Sequence, residues 1–267
     1  MTSHSASGTS PEDMAAIAAR TLGLMDLTSL NDADDADTVV ALCDRALTPA
    51  GPVAAICIWP LYVAIAKSNL RSTPVKVATV VNFPGGSFSA ERVAHQIGEA
   101  LADGADEIDY VMNYADVILG NGSRAADHLA AAREACGTTT LKVILETGAI
   151  AKPSLIEKAA AIAVANGADF LKTSTGKVPV GATPGAARIL LTACRDAGAK
   201  GREVGFKASG GIRDVQAAGG YLALAEEICG TGWADADHMR FGASGLLDAV
   251  LAALGHGSGR TLGHGGY

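Results

Sequence analysis

Five charged residues stand inside or at the ends of short apolar runs, where charged side chains are uncommon. They are Asp26 in "LGLMDLT", Asp109 in "EIDYVMN", Lys142 in "LKVILET", Lys172 in "DFLKTST" and Lys207 in "VGFKAS". Burial of an unpaired charge is costly, and buried ion pairs are often no more stabilising than apolar side chains of similar volume. A lone lysine in a strand usually has a structural role, but three lysines and two aspartates in one core indicate a functional site.

Lys172 and Lys207 are 35 residues apart, the length of one strand–helix unit, so we expect them on neighbouring strands. Neighbouring strands lie about 4.8 Å apart, which is close enough for one ammonium to lower the pKa of the other. A lysine amine attacks a carbonyl only when neutral, and its ordinary pKa of about 10.4 keeps it protonated at pH 7. An apolar setting and a second ammonium both lower that pKa. The pair therefore predicts a Schiff base, whose protonated imine is an electron sink for making or breaking a carbon–carbon bond.

Short apolar runs alternate with amphipathic segments along almost the whole chain. The predicted strands are 22–28, 53–59, 75–81, 107–113, 141–147, 169–175, 204–209 and 238–244. The predicted helices are 35–47, 61–70, 89–103, 122–136, 154–166, 185–198, 213–229 and a last one from near 245 to before Gly255. This alternation predicts an α/β fold, a single (β/α)8 TIM barrel with a short N-terminal helix over residues 11–255. The alternative is a doubly wound open sheet, which usually has a Gly-rich turn after its first strand, and "LMDLTSLN" has none.

Side chains alternate between the two faces of a strand, and this alternation groups the polar residues. Lys142 shares a face with Glu146, Lys172 with Ser174, and Lys207 with Ser209. Asp26, Cys57 and Asp109 add polar groups from three further strands. Because the helix-facing side of a barrel strand is normally aliphatic, we expect these groups to point into the barrel. The active site of such a barrel lies at the C-terminal ends of its strands.

Three segments at the ends of later strands are rich in small residues and hydroxyl groups. They are "TSTGK" (173–177), "SGGI" (209–212) and "GASG" (242–245). Such segments expose backbone N–H groups, and TIM barrels often bind phosphate after strands 7 and 8 and at a short helix N-terminus. Each segment is a weak signal alone, but their positions together predict a phosphorylated substrate.

Composition narrows the classes of function. The chain has 267 residues, 49% of them hydrophobic, which is enough for a substantial core. Its net charge of −7 argues against a general nucleic-acid-binding role. No apolar run reaches the roughly 18 residues of a membrane span. The N-terminus shows no secretory pattern, so the expected location is the cytoplasm.

Cysteine and histidine positions give no support for a metal or disulfide framework. The five cysteines form no C-x-x-C pair and the histidines are scattered, so neither a disulfide framework nor a metal site is predicted. Residues 1–10 and the Gly-rich tail 256–267, which ends in Tyr267, are expected to be flexible.

Eight stretches, in order along residues 20–254, make the chain similar to deoxyribose-phosphate aldolases. They are "LMDLTSL", "AAICIWP", "VNFPGG", "GADEIDYVMN", "LKVILETG", "GADFLKTSTGK", "GFKASGGIR" and "RFGASGLL". The resemblance implies a class I aldolase that reversibly cleaves 2-deoxy-D-ribose 5-phosphate to D-glyceraldehyde 3-phosphate and acetaldehyde. It implies no metal or organic cofactor, a place in deoxyribonucleotide catabolism, and a homo-oligomer, with a dimer favoured.

The resemblance also assigns catalytic roles to five residues. Lys172 resembles the Schiff-base lysine, and Lys207 resembles the second lysine that lowers its pKa. Asp109 resembles the group that transfers protons through a water molecule, and Lys142 resembles the lysine that pairs with that carboxylate. Tyr267 resembles a tyrosine on a C-terminal tail that assists proton exchange at the enamine carbon, although chain ends are ordinarily flexible without a function.

Further residues match substrate-binding positions of these enzymes. Asp26 and Cys57 resemble residues that line the pocket, and Cys57 could equally be a small core residue. The phosphate contacts would come from Thr175, Gly176, Lys177, Gly210, Gly211 and Ser244. Two positions depart from the family pattern. Ala208-Ser209 replaces a common Pro-Ala, which should hardly affect the chemistry, and Gly245 replaces a frequent serine, which removes one hydroxyl group from the expected phosphate site.

Two other functions explain part of the pattern. Another lysine-dependent barrel aldolase, such as an archaeal-type fructose-bisphosphate aldolase or a transaldolase, would also form an imine. Such enzymes would not be expected to have Lys142, Lys172 and Lys207 at this spacing together with Asp109. A non-catalytic sugar-phosphate-binding barrel needs the phosphate loops but leaves the lysine pair unexplained.

Overall fold

Eight short parallel strands close into a barrel in the computed structural model, which describes residues 10–257. The strands are β1 (Met25–Thr28), β2 (Ala55–Ile58), β3 (Lys76–Val81), β4 (Glu107–Val111), β5 (Thr140–Ile144), β6 (Phe170–Lys172), β7 (Gly205–Ser209) and β8 (Met239–Ala243). Each strand pairs with the next along the chain, and β8 pairs with β1, which closes the ring. The TIM-barrel prediction is confirmed, and the alternative of an open doubly wound sheet is wrong.

Helices connect successive strands and form the outer layer. They are α1 (Pro11–Gly23), α2 (Ala36–Arg45), α3 (Val63–Leu70), α4 (Ala90–Ala102), α5 (Tyr114–Ile118), α6 (Gly122–Cys136), α7 (Thr147–Ile150), α8 (Pro153–Ala165), α9 (Pro184–Gly198), α10 (Val215–Cys229) and α11 (Leu246–Ala253). The sequence did not predict α5, α7 or the small hairpin of Leu47–Thr48 with Gly51–Pro52. None of the helices within residues 10–257 has both the length and the apolar character that crossing a membrane requires.

The first helix, α1, extends farther than the sequence predicted. Ser10 caps it, because the Ser10 hydroxyl accepts the backbone N–H of Asp13 while the Asp13 carboxylate accepts the backbone N–H of Ser10. Leu22 lies buried in the last turns of this helix, although it was predicted to begin a strand, and β1 begins only at Met25. The apolar run contains a helix end and a strand, which periodicity cannot separate over so few residues.

Two helix–strand connections, "DGADEID" and "NGADF", have the same local structure, as their similar sequences predict. Gly104 and Gly167 have φ angles of 96° and 92°, a left-handed conformation that favours glycine at helix ends. The aspartates that follow accept backbone N–H groups of the preceding strand, Asp106 from Val77 at 2.8 Å and Asp169 from Leu141 at 2.7 Å. These bonds fix where β4 and β6 begin beside their neighbours.

β5 ends before the residue that the sequence placed on its polar face. The strand was predicted to reach residue 147, but it ends at Ile144. Glu146 then adopts φ 55° and ψ 57°, a left-handed conformation that is unusual for a residue with a side chain. Glu146 therefore does not share a strand face with Lys142, as the alternation predicted.

β6 also ends early, so Lys172 is its last residue rather than a central one. The Thr173 hydroxyl then bonds both backbone groups of Ser209 on β7, donating to its carbonyl and accepting its N–H, at 3.0 Å each. The sequence predicted that the strand continues to residue 175. Instead, the Thr173 side chain makes the bonds to β7 that the backbone of a continued strand would make.

Because side chains alternate between the two faces of each strand, the strands border two separate buried regions. Val143, Leu171 and Phe206 belong to the large apolar core between strands and helices. Lys142, Lys172 and Lys207, each one residue away along its strand, point to the inside of the barrel. An interior apolar cluster lies beside them and consists of Leu30, Cys57, Ala78, Val80, Phe83, Val111 and Ile144.

Candidate active site

One carboxylate, that of Asp109 on β4, joins the three predicted lysines. Its Oδ2 atom accepts hydrogen bonds from the Nζ atoms of Lys172 and Lys207, both at 2.7 Å. Its Oδ1 atom accepts a hydrogen bond from Nζ of Lys142 at 3.2 Å. All four side chains are buried, and Lys172 is only 2% exposed. The structure therefore brings these predicted residues together inside the barrel.

Strand register explains this convergence. Asp109 on β4 is the register partner of Lys142 on β5, and Lys172 on β6 is the partner of Lys207 on β7. Long side chains at partner positions meet because neighbouring strands lie about 4.8 Å apart. Gly242 on β8 leaves the space that Lys207 occupies, since a Cβ there would lie 3.0 Å from Cε of Lys207.

A second layer of charges lies toward the N-terminal ends of the strands. Arg240 on β8 donates from Nη1 to Oδ1 of Asp26 at 2.8 Å and from Nη2 to Oε1 of Glu107 at 2.9 Å. Glu107 also accepts a hydrogen bond from Lys142. Oδ2 of Asp26 lies 2.5 Å from Nζ of Lys207 and 3.5 Å from Nζ of Lys142. Asp26, which the sequence assigned to the pocket, thus belongs to the same network as the lysines.

The sequence did not identify Glu107 or Arg240 as members of the site. Glu107 stands two residues before Asp109, so alternation places both on one face of β4. Arg240 is the register partner of Lys207 and stands two residues before Gly242 on β8. The same alternation that selected Asp109 is the signal for both residues, which stand at the starts of their strands.

Electrostatics distinguish the three lysines. Burial lowers the pKa of Lys172 and the Lys207 ammonium lowers it further, while Asp109 opposes these effects without cancelling them. Burial would also lower the pKa of Lys207, but Asp109 and Asp26 outweigh it and raise that pKa. The pKa of Lys142 is raised as well, because Asp109 and Glu107 outweigh burial. Lys172 is therefore the amine of the three that loses its proton most readily.

The two aspartates are held in the ionised state. Burial alone would raise the pKa of Asp109, but the three lysines hold it well below its usual range. Burial likewise opposes ionisation of Asp26, and Lys207, Lys142 and Arg240 together lower its pKa. Both groups are therefore carboxylates at neutral pH, able to accept hydrogen bonds and to neutralise a cation.

Cys57 faces the same interior from β2. Its Sγ atom lies 3.9 Å from Oδ2 of Asp109. Burial raises the pKa of this thiol to about 11, and the charge of Asp109 adds to the effect. Cys57 also packs in the interior apolar cluster, as expected of a small core residue, and its expected contact with the substrate stays a prediction.

Glu146 and Thr175 are joined on the rim of the barrel where β5 and β6 end. Oε2 of Glu146 accepts the Thr175 hydroxyl at 2.5 Å and the Thr175 backbone N–H at 3.3 Å. Burial raises the pKa of Glu146, and the hydrogen bonds from Thr175 act in the opposite direction. The hydroxyl of Thr175, a predicted phosphate contact, therefore donates a hydrogen bond to a carboxylate of the protein.

The loops after β6 and β7 pack closely, which brings predicted phosphate-binding glycines together. Gly210 has a φ of 88°, and a Cβ on it would lie 3.0 Å from Cα of Gly181 and 3.6 Å from Cα of Gly176. The Lys177 ammonium donates to the backbone carbonyl of Leu30 at 2.7 Å. Lys177 thus extends from the loop after β6 to the loop after β1.

The remaining predicted phosphate contacts flank these loops. Gly211 is exposed with a φ of 84°, and Ser244 lies half-buried between β8 and α11. The N-cap of α11 is Gly245, and no side chain among the described residues caps this helix end. Its first N–H groups therefore remain available to an anion.

Some predictions concern residues outside the described part of the chain. Tyr267 lies in the segment 258–267, so its role remains a prediction, as does the flexibility predicted for both chain ends. Within residues 10–257, no group of three His, Cys, Asp or Glu side chains has an arrangement that could hold a metal ion.

Fold and site together define a (β/α)8 barrel with amines and carboxylates converging on its axis, a setting that suits an enzyme acting on carbonyl compounds. The family model of the DeoC/LacD family aldolases matches residues 20–234. This match covers most of the chain, so the protein belongs to the DeoC/LacD aldolase family. It is an aldolase, and its reaction is that of a carbon–carbon lyase.

Solved structures of named aldolases are similar to this one. A provisionally named deoxyribose-phosphate aldolase from Coccidioides immitis is 28% identical with a TM-score of 0.78, over 88% of this chain and 86% of that chain. Another from Toxoplasma gondii ME49 is 25% identical with a TM-score of 0.83, over 91% and 98% of the two chains. The tetrameric deoxyribose phosphate aldolase of Aeropyrum pernix is 24% identical with a TM-score of 0.70, over 91% and 92%, a likeness of fold.

Proposed function

We propose that the protein is a class I aldolase that forms a Schiff base on Lys172. The proposed reaction is the reversible cleavage of 2-deoxy-D-ribose 5-phosphate to D-glyceraldehyde 3-phosphate and acetaldehyde. Membership of the aldolase family supports the reaction type, and the resemblance of the sequence motifs supports the substrate. The proposed chemistry uses side chains of the protein and no added cofactor.

The observation that carries this proposal is the difference between two neighbouring lysines. Lys172 and Lys207 donate to the same oxygen of Asp109, yet the pKa of Lys172 is lowered while that of Lys207 is raised. A nucleophilic amine must be neutral, whereas an acid catalyst must carry a proton. The two lysines therefore suit two different parts of one reaction.

In the first half of the proposed reaction, the neutral Nζ of Lys172 adds to the C1 aldehyde of the open-chain sugar. The carbonyl oxygen takes a proton from Lys207, and the carbinolamine loses water to give a protonated imine. The Asp109 carboxylate already lies 2.7 Å from this nitrogen, so it stabilises the positive charge without rearrangement.

In the second half, a base removes the proton of the C3 hydroxyl, and the C2–C3 bond breaks. Its electron pair passes to the imine, which gives an enamine on Lys172 and D-glyceraldehyde 3-phosphate. Protonation of the enamine at C2 and hydrolysis of the imine release acetaldehyde and return the free amine. We assign the transfer of these protons to Asp109 through a water molecule, with Lys142 holding its other oxygen, and proton exchange at C2 to Tyr267.

A phosphorylated substrate is supported by the rim after β6, β7 and β8. The proposed phosphate contacts are Thr175, Gly176, Lys177, Gly210, Gly211 and Ser244. The uncapped N-terminus of α11 adds backbone N–H groups and the favourable end of a helix dipole. Asp26 and Cys57 lie inside the barrel with the lysines, where we propose that they line the path of the deoxysugar.

The proposal predicts a covalent adduct on one particular lysine. Borohydride reduction with acetaldehyde should give one ethylated lysine per chain, and peptide mapping should place it at Lys172. Lys172→Leu should lose the adduct and the turnover but keep its circular dichroism spectrum, because an apolar side chain is tolerated in a buried position. Lys200→Leu, at an exposed position, is the matched control and should retain both. An adduct that persists in Lys172→Leu would show that the nucleophile is elsewhere.

The same experiment separates the proposed substrate from those of other class I aldolases. Trapping with dihydroxyacetone phosphate but not with acetaldehyde would indicate an enzyme of the fructose-bisphosphate type. We also propose that the chain forms a homo-oligomer, with a dimer favoured, and sedimentation velocity of the purified protein measures this directly.

A further inference from the structure

Seven ionisable side chains form one network of ion pairs inside the barrel, and the charges within this network balance only when Lys172 is neutral. They are the carboxylates of Asp26, Glu107 and Asp109 and the cationic groups of Lys142, Lys172, Lys207 and Arg240. With the other six groups ionised, three negative charges face three positive charges. A proton on Lys172 would add an uncompensated positive charge in a buried region, which is costly.

Arg240 and Glu107 complete this balance from the end of the barrel opposite Lys172. Arg240 is linked to Lys207 through Asp26, by contacts of 2.8 Å and 2.5 Å. Glu107 is linked to Asp109 through Lys142, which donates to both carboxylates. Arg240 and Glu107 are also bonded to each other at 2.9 Å. The first chain of contacts continues from Lys207 to Asp109, so both chains reach Lys172 through the Asp109 carboxylate.

We propose that Arg240 and Glu107 are positioning residues that act on the protonation of the Lys172 amine in opposite directions, Arg240 disfavouring the proton and Glu107 favouring it. Arg240 supplies the third positive charge and Glu107 the third negative charge, and each acts on Lys172 through the intervening network. This inference rests on the proposed role of Lys172 as the nucleophile.

The two residues act in opposite directions. Removal of the Arg240 charge leaves a surplus negative charge, which favours the protonated form of Lys172. Removal of the Glu107 charge leaves a surplus positive charge, which favours the neutral amine. Removal of both restores the balance. A purely structural role for the pair would produce no such reversal of sign.

Substitutions at these positions should be tolerated because the pair borders a depression at the N-terminal ends of the strands. This depression has a volume of about 440 Å³, and both Glu107 and Arg240 line it although they are 4% and 5% exposed. A space of this size admits water, so a polar group that loses its partner there can be hydrated.

The other titratable and charged groups around the network are unchanged in every variant. Those that face Lys172 are Asp109, Lys207, Cys57 and Glu146. Those that face the pair are Asp26 and Lys142 inside the barrel and Lys76, Asp169, Glu203, Asp237 and His238 around the depression. Differences between the variants therefore report the charges of the pair.

The pKa of Lys172 can be measured without any catalytic turnover. In full-length protein containing lysine labelled with ¹³C at Cε, the shift of the Lys172 signal is followed against pH, and its absence in Lys172→Leu assigns it. Arg240→Met should raise the pKa by about one unit, and Glu107→Gln should lower it by about one unit. In the double variant the pKa of Lys172 should return close to the wild-type value. In the charge-conserving Arg240→Lys, the pKa of Lys172 should differ from the wild-type value by less than it does in Arg240→Met.

Several outcomes would overturn the inference. These are equal values in all variants, shifts of the same sign in both single variants, or no recovery in the double variant. If Arg240→Met does not fold, the isosteric Glu107→Gln decides, and an unchanged or raised pKa refutes the proposal. Borohydride trapping of the wild type tests the proposed function separately. An adduct on Lys172 without these shifts would refute the role of Arg240 and Glu107 and leave the proposed function standing. The pKa shifts without an adduct would refute the proposed function.

Discussion

Replacement of Lys207 by methionine should raise the pKa of Lys172 by about two units. The Nζ atoms of both lysines lie 2.7 Å from one oxygen of Asp109. They are therefore at most about 5.4 Å apart, and two like charges at that distance repel by about 3 kcal/mol at an effective dielectric constant of about 20. One pKa unit corresponds to about 1.4 kcal/mol, which gives the shift of about two units. Both side chains are buried, so solvent screens little of this repulsion.

The direction of the effect follows from the form of Lys172 that reacts. Below its pKa, the neutral fraction of an amine falls about tenfold for each unit by which that pKa rises. In Lys207→Met the rate of imine formation at neutral pH should therefore fall by roughly a hundredfold, and the acid limb of the pH profile should move to higher pH. Loss of Lys207 as a proton donor would lower the rate at every pH without moving the limb, so the two effects are separable.

The assay is the rate of reductive trapping of acetaldehyde by cyanoborohydride, measured across the pH range in which the protein is folded. Lys200→Met is the control, because this lysine is exposed and lies outside the barrel interior. Circular dichroism at each pH verifies folding. An acid limb that stays in place in Lys207→Met, or that moves to lower pH, would refute the electrostatic reasoning.

Two further predictions concern the rim of the barrel and the stability in acid. Glu146→Gln weakens the bond to Thr175, which frees this hydroxyl and removes a negative charge beside the proposed phosphate site. KM for the phosphorylated substrate should therefore fall by about tenfold with little change in kcat, as steady-state kinetics would show. Glu146→Gly, which accepts a φ of 55° without strain, should change KM in the same direction, and an unchanged KM in both variants would contradict the link to Thr175. The pKa values of Asp26 and Asp109 lie below the ordinary value of 3.8, so the stability that they contribute is present above that pH and is lost as the pH falls toward their folded-state values. Urea midpoints should decrease below about pH 4, and a midpoint that is constant further into acid would contradict this account.

The barrel could be predicted from the sequence because two independent patterns lead to the same fold, the alternation of strands with helices and the alternation of side chains within each strand. Strand and helix patterns alternate eight times, and side chains alternate within each strand. The alternation of side chains within strands predicted that Lys142, Lys172 and Lys207 point into the barrel with Asp109. The structure brings these four residues together. Their catalytic roles remain proposals that the trapping experiment tests.

Other features depend on contacts that no local pattern encodes. Thr173 ends β6 because its hydroxyl bonds the backbone of Ser209, a residue distant in sequence. The left-handed backbone of Glu146 accompanies its bonds to Thr175, and a glutamate carries no local signal for that conformation. Glu107 and Arg240, in contrast, do carry a local signal, because each stands two residues before an inward-facing position of its strand.

The Gly-Ala-Asp connections have a consequence for how this protein can change. Asp169 accepts the N–H of Leu141 at the opposite end of β6 from the loops that surround the proposed substrate site. The position of Lys172 along the barrel axis is thus fixed at the N-terminal end of β6, three residues before this lysine. Loops at the C-terminal ends of the strands can be lengthened, shortened or exchanged while the Lys172 amine keeps its place, so new substrates are most readily sought by redesign of those loops.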